Sequence, residues 1–234
     1  MDSRKVALIT GASRGIGRGL VEHFLADGFR VAGCSRGDAP AIGGDYEHTC
    51  VDIADEKAVQ GWVKGAARSH GRIDLIVNNA GEYAQTPAML TAGGTLEKLM
   101  RINYMGSFFA SREAAKIMVR QKSGRIINMA SMACGLHSEG ASAYAASKSA
   151  VIEYSKVLAK ELAESNVTVN VVAPSMVETG MLDELGEKSR ESALQSLTLK
   201  RSCSLDEVNH VVAFLASDLA ACVTGQVIYL GLVV

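Results

Sequence analysis

The run Lys5-Val6-Ala7-Leu8-Ile9-Thr10 leads straight into Gly11-Ala12-Ser13-Arg14-Gly15-Ile16-Gly17, and this junction restricts the fold more than any other stretch. A continuous apolar run of that length suits a strand covered on both faces, as in a parallel sheet. The glycines let the backbone turn tightly, and the pattern that follows to about Asp27 reads as a helix. Such a turn leaves free N–H groups and positive potential at the helix N-terminus, where a phosphate can be held. The spacing is G-x-x-x-G-x-G, not the G-x-G-x-x-G of the common dinucleotide fingerprint. Gly11, Ser13, Arg14, Gly15, Ile16 and Gly17 are therefore candidate phosphate-loop residues, the alternative being an ordinary strand–turn–helix connection.

The same alternation continues along the chain. Further strands are expected at Arg30–Cys34, Tyr46–Val51, Ile73–Val77, Arg125–Met129, Val167–Val172 and Gln226–Leu230. Helices are expected at Asp55–Ser69, Thr95–Gln121, Ser142–Glu164 and Leu205–Ser217. Apolar strands separated by helices, with right-handed crossovers, imply an α/β fold: a doubly wound parallel sheet of seven strands flanked by helices. Residues 1–234 read as a single domain, because no linker, repeat or low-complexity segment interrupts them. The stretch between Arg36 and Asp52 contains Pro40, Gly43 and Gly44, so no full helix is expected there.

Composition narrows the setting. A formal net charge of −1 without a basic block argues against a nucleic-acid partner. The five cysteines are scattered, with no C-x-x-C pair, which fits reduced thiols better than disulfides or metal ligands, and no metal is expected. No apolar run is long enough to span a bilayer and the start lacks a signal-peptide core, so a soluble cytoplasmic protein is expected.

In doubly wound sheets ligands bind beyond the carboxyl ends of the strands. The second strand ends Gly33-Cys34-Ser35-Arg36, with no acid before Asp38. An acid at that place suits the ribose 2′-hydroxyl of NAD, whereas arginine suits the 2′-phosphate of NADP, so Arg36 with Arg14 favours NADP(H) over NAD(H). Asp52 after the third strand is placed to accept from an adenine amino group, or else caps the next helix within Asp52-Ile53-Ala54-Asp55. Asn78-Asn79-Ala80-Gly81 follows the fourth strand, where asparagine side chains hold a loop in shape.

Tyr144 and Lys148 lie four apart in an expected helix and so share one face. A neighbouring ammonium favours the phenolate, so it should lower the tyrosine pKa toward the working range of an acid–base catalyst. Ser131 follows the fifth strand, and Asn103 sits inside the long helical stretch, where asparagine is locally unfavourable. A kink that frees a backbone carbonyl for a water would explain it.

Taken together, Thr10–Gly17, Asp52, Asn78–Gly81, Asn103, Ser131, the YAASK run Tyr144–Lys148 and the PSMVET segment Pro174–Thr179 resemble the short-chain dehydrogenase/reductase family over the full length. The resemblance implies a Rossmann-type domain that moves hydride between a nicotinamide and a carbonyl or alcohol carbon. It implies Tyr144 as proton donor or base, Lys148 tuning it and holding the nicotinamide ribose, Ser131 polarising the substrate carbonyl, and Asn103 seating a relay water. It also implies cofactor contacts from Gly11, Ser13, Arg14, Gly15, Ile16, Gly17, Arg36, Asp52, Ile53, Asn79, Ala80, Gly81, Tyr144, Lys148, Pro174, Val177 and Thr179. Within the family the pattern is similar to 3-oxoacyl-[acyl carrier protein] reductases. That similarity implies a ketone carbonyl substrate carried on acyl carrier protein or coenzyme A, and a homo-oligomer, tetramer or dimer. Ser175 stands where the family usually has glycine, and the ending Leu230–Val234 departs from the usual glycine-rich one.

Substrate contacts are expected from His137, Met176 and Met181, with a lid over about 175–200. The expected reaction is NADPH-dependent reduction of a 3-oxoacyl thioester. The alternatives are another carbonyl or alcohol (polyketide, steroid, quinone, sugar, small ketone) and a non-catalytic dinucleotide-binding regulator.

Overall fold

Alternation along the first strand sets the layers. In β1 (Val6–Thr10) every residue is buried. Val6 and Leu8 enter one core, with Val59, Trp62, Phe109 and Leu158. Ala7 and Ile9 enter the other, with Leu20, Phe24, Val212 and Leu215. Successive side chains on a strand point to opposite faces, so a strand apolar throughout must be covered on both.

The computed structural model describes residues 4–178, 191 and 194–234. β1 is followed by α1 (Gly15–Ala26), β2 (Arg30–Ser35), β3 (Tyr46–Cys50), α2 (Glu56–His70) and β4 (Leu75–Asn78). Then come α3 (Gly93–Leu99), α4 (Gly106–Gln121), β5 (Gly124–Met129), a short α5 (Ala133–Leu136) and α6 (Ser142–Leu162). β6 (Val167–Ala173), α7 (Leu205–Ala216) and β7 (Val227–Tyr229) complete the described chain. The seven strands are parallel in the order β3-β2-β1-β4-β5-β6-β7. Leu8 pairs with both Ala32 and Ile76, and Ile76 with Ile126, so one apolar row runs through the middle of the sheet. α2, α4 and α6 contribute to one core and α1 and α7 to the other, which is a single Rossmann-type domain.

Local chemistry marks the helix ends. Asp55, not Asp52, caps α2: its side chain accepts from the Lys57 and Ala58 N–H groups. Ser204 and Glu207 form a capping box at α7. As expected, no helix forms between β2 and β3.

The expected long helix from Thr95 to Gln121 is not continuous. Between α3 and α4 the chain makes a π turn over Met100–Met105, which inserts an extra residue into the helical repeat. Asn103 lies in it, fully buried. The strand order runs outward from β1 in opposite directions, to β2 on one side and β4 on the other, which makes a topological switch point, so the crevice beyond its carboxyl end is where a ligand belongs.

Candidate active site

A cleft of about 540 Å³ opens at that switch point. It is lined by Gly11, Ser13, Arg14, Gly15, Ile16, Arg36, Asp52, Ile53, Asn79, Ala80 and Gly81, eleven of the residues expected to hold a cofactor. Two glycines fix the loop. Gly11 has φ +69°, and a Cβ there would lie 2.9 Å from the Ala80 Cα. A Cβ on Gly17 would lie 2.1 Å from the Gly11 carbonyl oxygen. Gly17 thus serves close packing of α1 under the loop rather than the cleft wall.

The opposite wall is tied to the glycine loop through Thr10. Its hydroxyl accepts from the Asn79 and Ala80 N–H groups at 3.0 Å each. The Asn79 amide donates back to the carbonyls of Thr10 and Gly11. Asn78 turns the other way and donates to Ser111 and Asn128, an interior network that the sequence motif did not signal. The Asp52 Oδ1 accepts from the Ala54 N–H, so that carboxylate holds its own turn at the cleft rim.

The cleft fits a dinucleotide. The first turn of α1 carries no side-chain cap, the glycine cradle has no room for side chains, and two arginines line it. Bare N–H groups at a helix start beside cations suit a pyrophosphate.

Gly81 joins this cleft to the second cluster. A Cβ on it would lie 3.2 Å from the Asn103 Oδ1 and 3.2 Å from the Lys148 Nζ. Asn103 is held by three side-chain bonds: it accepts from the Glu82 N–H at 2.8 Å, and donates to the Glu82 carbonyl and the Ser147 hydroxyl at 2.9 Å each. Ser147 in turn donates to the Tyr144 carbonyl at 2.7 Å. The expected kink is present, but the Asn103 carbonyl is not left free, since it accepts from Ser107. Ser147 and Glu82 are site residues that sequence reasoning missed. Ser147 looks like any small helix residue, and Glu82 lies just past a recognised turn.

The titrations differ from expectation. Tyr144 is half-buried, and loss of water around its hydroxyl pushes the pKa up to about 12, with the Ser131 hydroxyl pulling it partway back. Lys148, 4% exposed, is held down at about 8 by its burial. The expected lowering of the phenol by the ammonium is overturned: Lys148 donates to the Met129 carbonyl at 2.8 Å, and burial dominates both groups. The Ser131 oxygen accepts from the Ala133 N–H, which leaves its O–H to donate toward Tyr144.

On the substrate side, the Tyr83 ring stands edge-on to Tyr144 at 4.9 Å. Gln85 donates to the Glu139 carbonyl and the Thr86 N–H to that of Gly140, so the two loops are zipped together. His137 is exposed at the end of α5. Met176 and Val177 are buried, Val177 in the α1/α7 core, so it has only its backbone to offer a ligand. Pro174 lies beyond β6, where its carbonyl accepts from Met132. Ser175 is accommodated against the Cys203 sulfur at 3.2 Å. Of the lid expected over about 175–200, Ser175, Met176 and Leu197 are buried, and Thr198, Leu199 and Lys200 are exposed. Thr179 and Met181 lie outside the described residues. The C-terminal Val234 packs on Gly135, beside the Ser131 loop.

A fold with a dinucleotide cleft leading to a Tyr–Lys–Ser–Asn cluster defines a nicotinamide-dependent oxidoreductase. The short chain dehydrogenase family model matches residues 5–190, and the chain belongs to that family. It is 35% identical to the 3-oxoacyl-[acyl-carrier-protein] reductase FabG of Thermotoga maritima, covering 96% of this chain and 95% of that one. The FabG proteins of Salmonella typhimurium and Staphylococcus aureus are 32% and 34% identical, with at least 95% of each chain covered. The protein is therefore an oxidoreductase acting on CH–OH/C=O groups with a nicotinamide dinucleotide. Among the described residues no helix is long and apolar enough to cross a membrane, and no cluster fits a metal ion.

Proposed function

We propose that this enzyme is an NADPH-dependent reductase of a ketone carbonyl, with a 3-oxoacyl thioester as substrate and the 3-hydroxyacyl thioester as product. The observation that carries the reading is the junction at Gly81, which sets the cofactor cleft against Lys148 and Asn103. The relatives named as 3-oxoacyl-[acyl-carrier-protein] reductases support the substrate class. Arg36 and Arg14 support NADP(H), because guanidinium groups suit a 2′-phosphate.

Bound cofactor supplies the hydride, and the chain's own residues orient and polarise. The Ser131 O–H donates to the carbonyl oxygen and so stabilises charge that develops there. The Tyr144 hydroxyl, protonated throughout the neutral range, delivers the proton to that oxygen. Lys148 restores charge balance at Tyr144 and reaches the nicotinamide ribose. The Asn103 carbonyl keeps a second lone pair beside its Ser107 bond, a seat for a water that links Lys148 to solvent. Pro174 and Val177 contribute backbone at the nicotinamide end. The substrate arrives on acyl carrier protein or coenzyme A, and the active form is a homo-oligomer.

The test is purified protein with NADPH and acetoacetyl thioesters, alongside a panel of polyketide, steroid, quinone, sugar and small ketones. Turnover of the thioester above the rest is expected. A better ketone in the panel would replace the substrate, and NADPH binding without turnover of any carbonyl would leave a regulator.

A further inference from the structure

We infer that Glu82 is a cofactor-selectivity residue, which competes with the cofactor's 2′-phosphate for Arg36; the inference rests on the proposed NADP(H) use. The cleft is an odd host for a polyanion: Arg14 and Arg36 line it together with Asp38, Asp52 and Glu82. Asp52 holds the Ala54 N–H, and Asp38 accepts from the Cys50 thiol at the rim. Glu82 is the carboxylate that reaches the cations. Its Oε2 lies 3.9 Å from the Arg36 Nη1, and its Oε1 makes a close ion pair with Lys98.

The placement makes this a strap across the cleft. Arg36 follows β2 and Glu82 follows β4, and these strands flank β1 and its glycine loop. The Glu82 backbone cannot drift, because Asn103 holds both its N–H and its carbonyl. Its carboxylate is therefore presented at a fixed point beside the cofactor path.

Two effects of Glu82 on a ligand differ in kind. Repulsion of the pyrophosphate acts on NAD and NADP alike. Occupation of Arg36 acts only on the ligand that needs Arg36, the one with a 2′-phosphate. Lys98 moderates the competition, since it compensates Glu82 after Arg36 has moved to the phosphate. Arg36 is 68% exposed at its side chain, so solvent weakens the pair and the effect on affinity is roughly two- to fivefold.

The experiment measures binding of ADP-ribose and 2′-phospho-ADP-ribose to the full-length protein, which needs no turnover. Glu82→Gln keeps the shape and the backbone bonds and removes the charge. It is expected to tighten 2′-phospho-ADP-ribose roughly two- to fivefold more than ADP-ribose. In an Arg36→Gln background the same change should leave the ratio of the two affinities where it was. Lys98→Gln should lower the ratio, and Glu82→Gln added to it should raise the ratio again. An equal gain for both ligands, or a ratio change that persists without Arg36, would overturn the inference. A wild-type protein indifferent to the 2′-phosphate would instead sink the NADP(H) reading, while the coupling of Glu82 to Arg36 is still read from the same variants.

Discussion

At the scale of single residues, burial moves Tyr144 and Lys148 in opposite directions, and both moves favour the uncharged form. A phenol near 12 is a poor base but a persistent acid at neutral pH, which matches reduction. Tyr144→Phe should lower kcat about 100- to 10,000-fold while cofactor still binds. Full activity in that variant, read in the same thioester assay, would remove Tyr144 from the chemistry. Lys148 has a signature in stability. Its folded pKa is about 8 against an ordinary 10.5, so between those values the unfolded chain holds a proton that the folded site has released. Stability from this group therefore rises with pH across that window, by on the order of 2 kcal/mol. Cys34 and Cys134, whose thiols are pushed up by burial, act in the opposite sense. The readout is accordingly the wild-type curve minus that of Lys148→Met, from urea unfolding at pH 8 and pH 10. Parallel curves would contradict a buried ammonium. The pair's presence was legible from its spacing in the sequence. The direction of the tyrosine shift was not, because it is set by the loss of water around the Tyr144 hydroxyl, which only the tertiary packing decides.

At the scale of elements, the π turn over Met100–Met105 is the device that assembles the site. It aims the Asn103 amide at two distant partners, Glu82 and Ser147, and so binds the loop after β4 to α6. Asn103→Ala should leave the Glu82 N–H and carbonyl without their partner at a part-buried place. A loss of roughly 2–3 kcal/mol in unfolding free energy is expected, with an unchanged denaturant slope. A near-neutral change would mean that the π turn stands without this anchor. Asn103 betrayed itself in sequence, since asparagine inside a helical pattern lacks a local reason. The turn itself did not, because the residues of an i→i+5 turn differ little from those of an α-helix and tertiary contacts choose between them. The caps followed the same division. The acidic cluster Asp52–Asp55 pointed to a helix start, but only the backbone path shows that Asp55 takes the cap and Asp52 the preceding turn.

At the scale of the whole molecule, the sheet order places the recognised loop motifs at one end, beyond the carboxyl ends of β1 to β6. That much was legible, because buried parallel strands are apolar throughout and the connections between them obey handedness rules. The docking of Val234 on Gly135 was not, since an apolar ending carries no information about which surface it covers. On the proposed binding mode the cofactor is a structural tie, because the loops after β1, β2, β3 and β4 and the first turn of α1 all line the cleft. Binding to the folded form alone stabilises it by about 2.7 kcal/mol at a hundredfold excess over Kd. For a chain of this size that corresponds to a rise in Tm of roughly 5–10 °C. NADPH should produce this rise at a lower concentration than NADH, and Arg36→Gln should bring the two concentration series together. Thermal unfolding followed with each cofactor in turn decides the matter: equal responses to both in the unaltered protein would sink the NADP(H) reading, and a preference that survives Arg36→Gln would place the selectivity elsewhere.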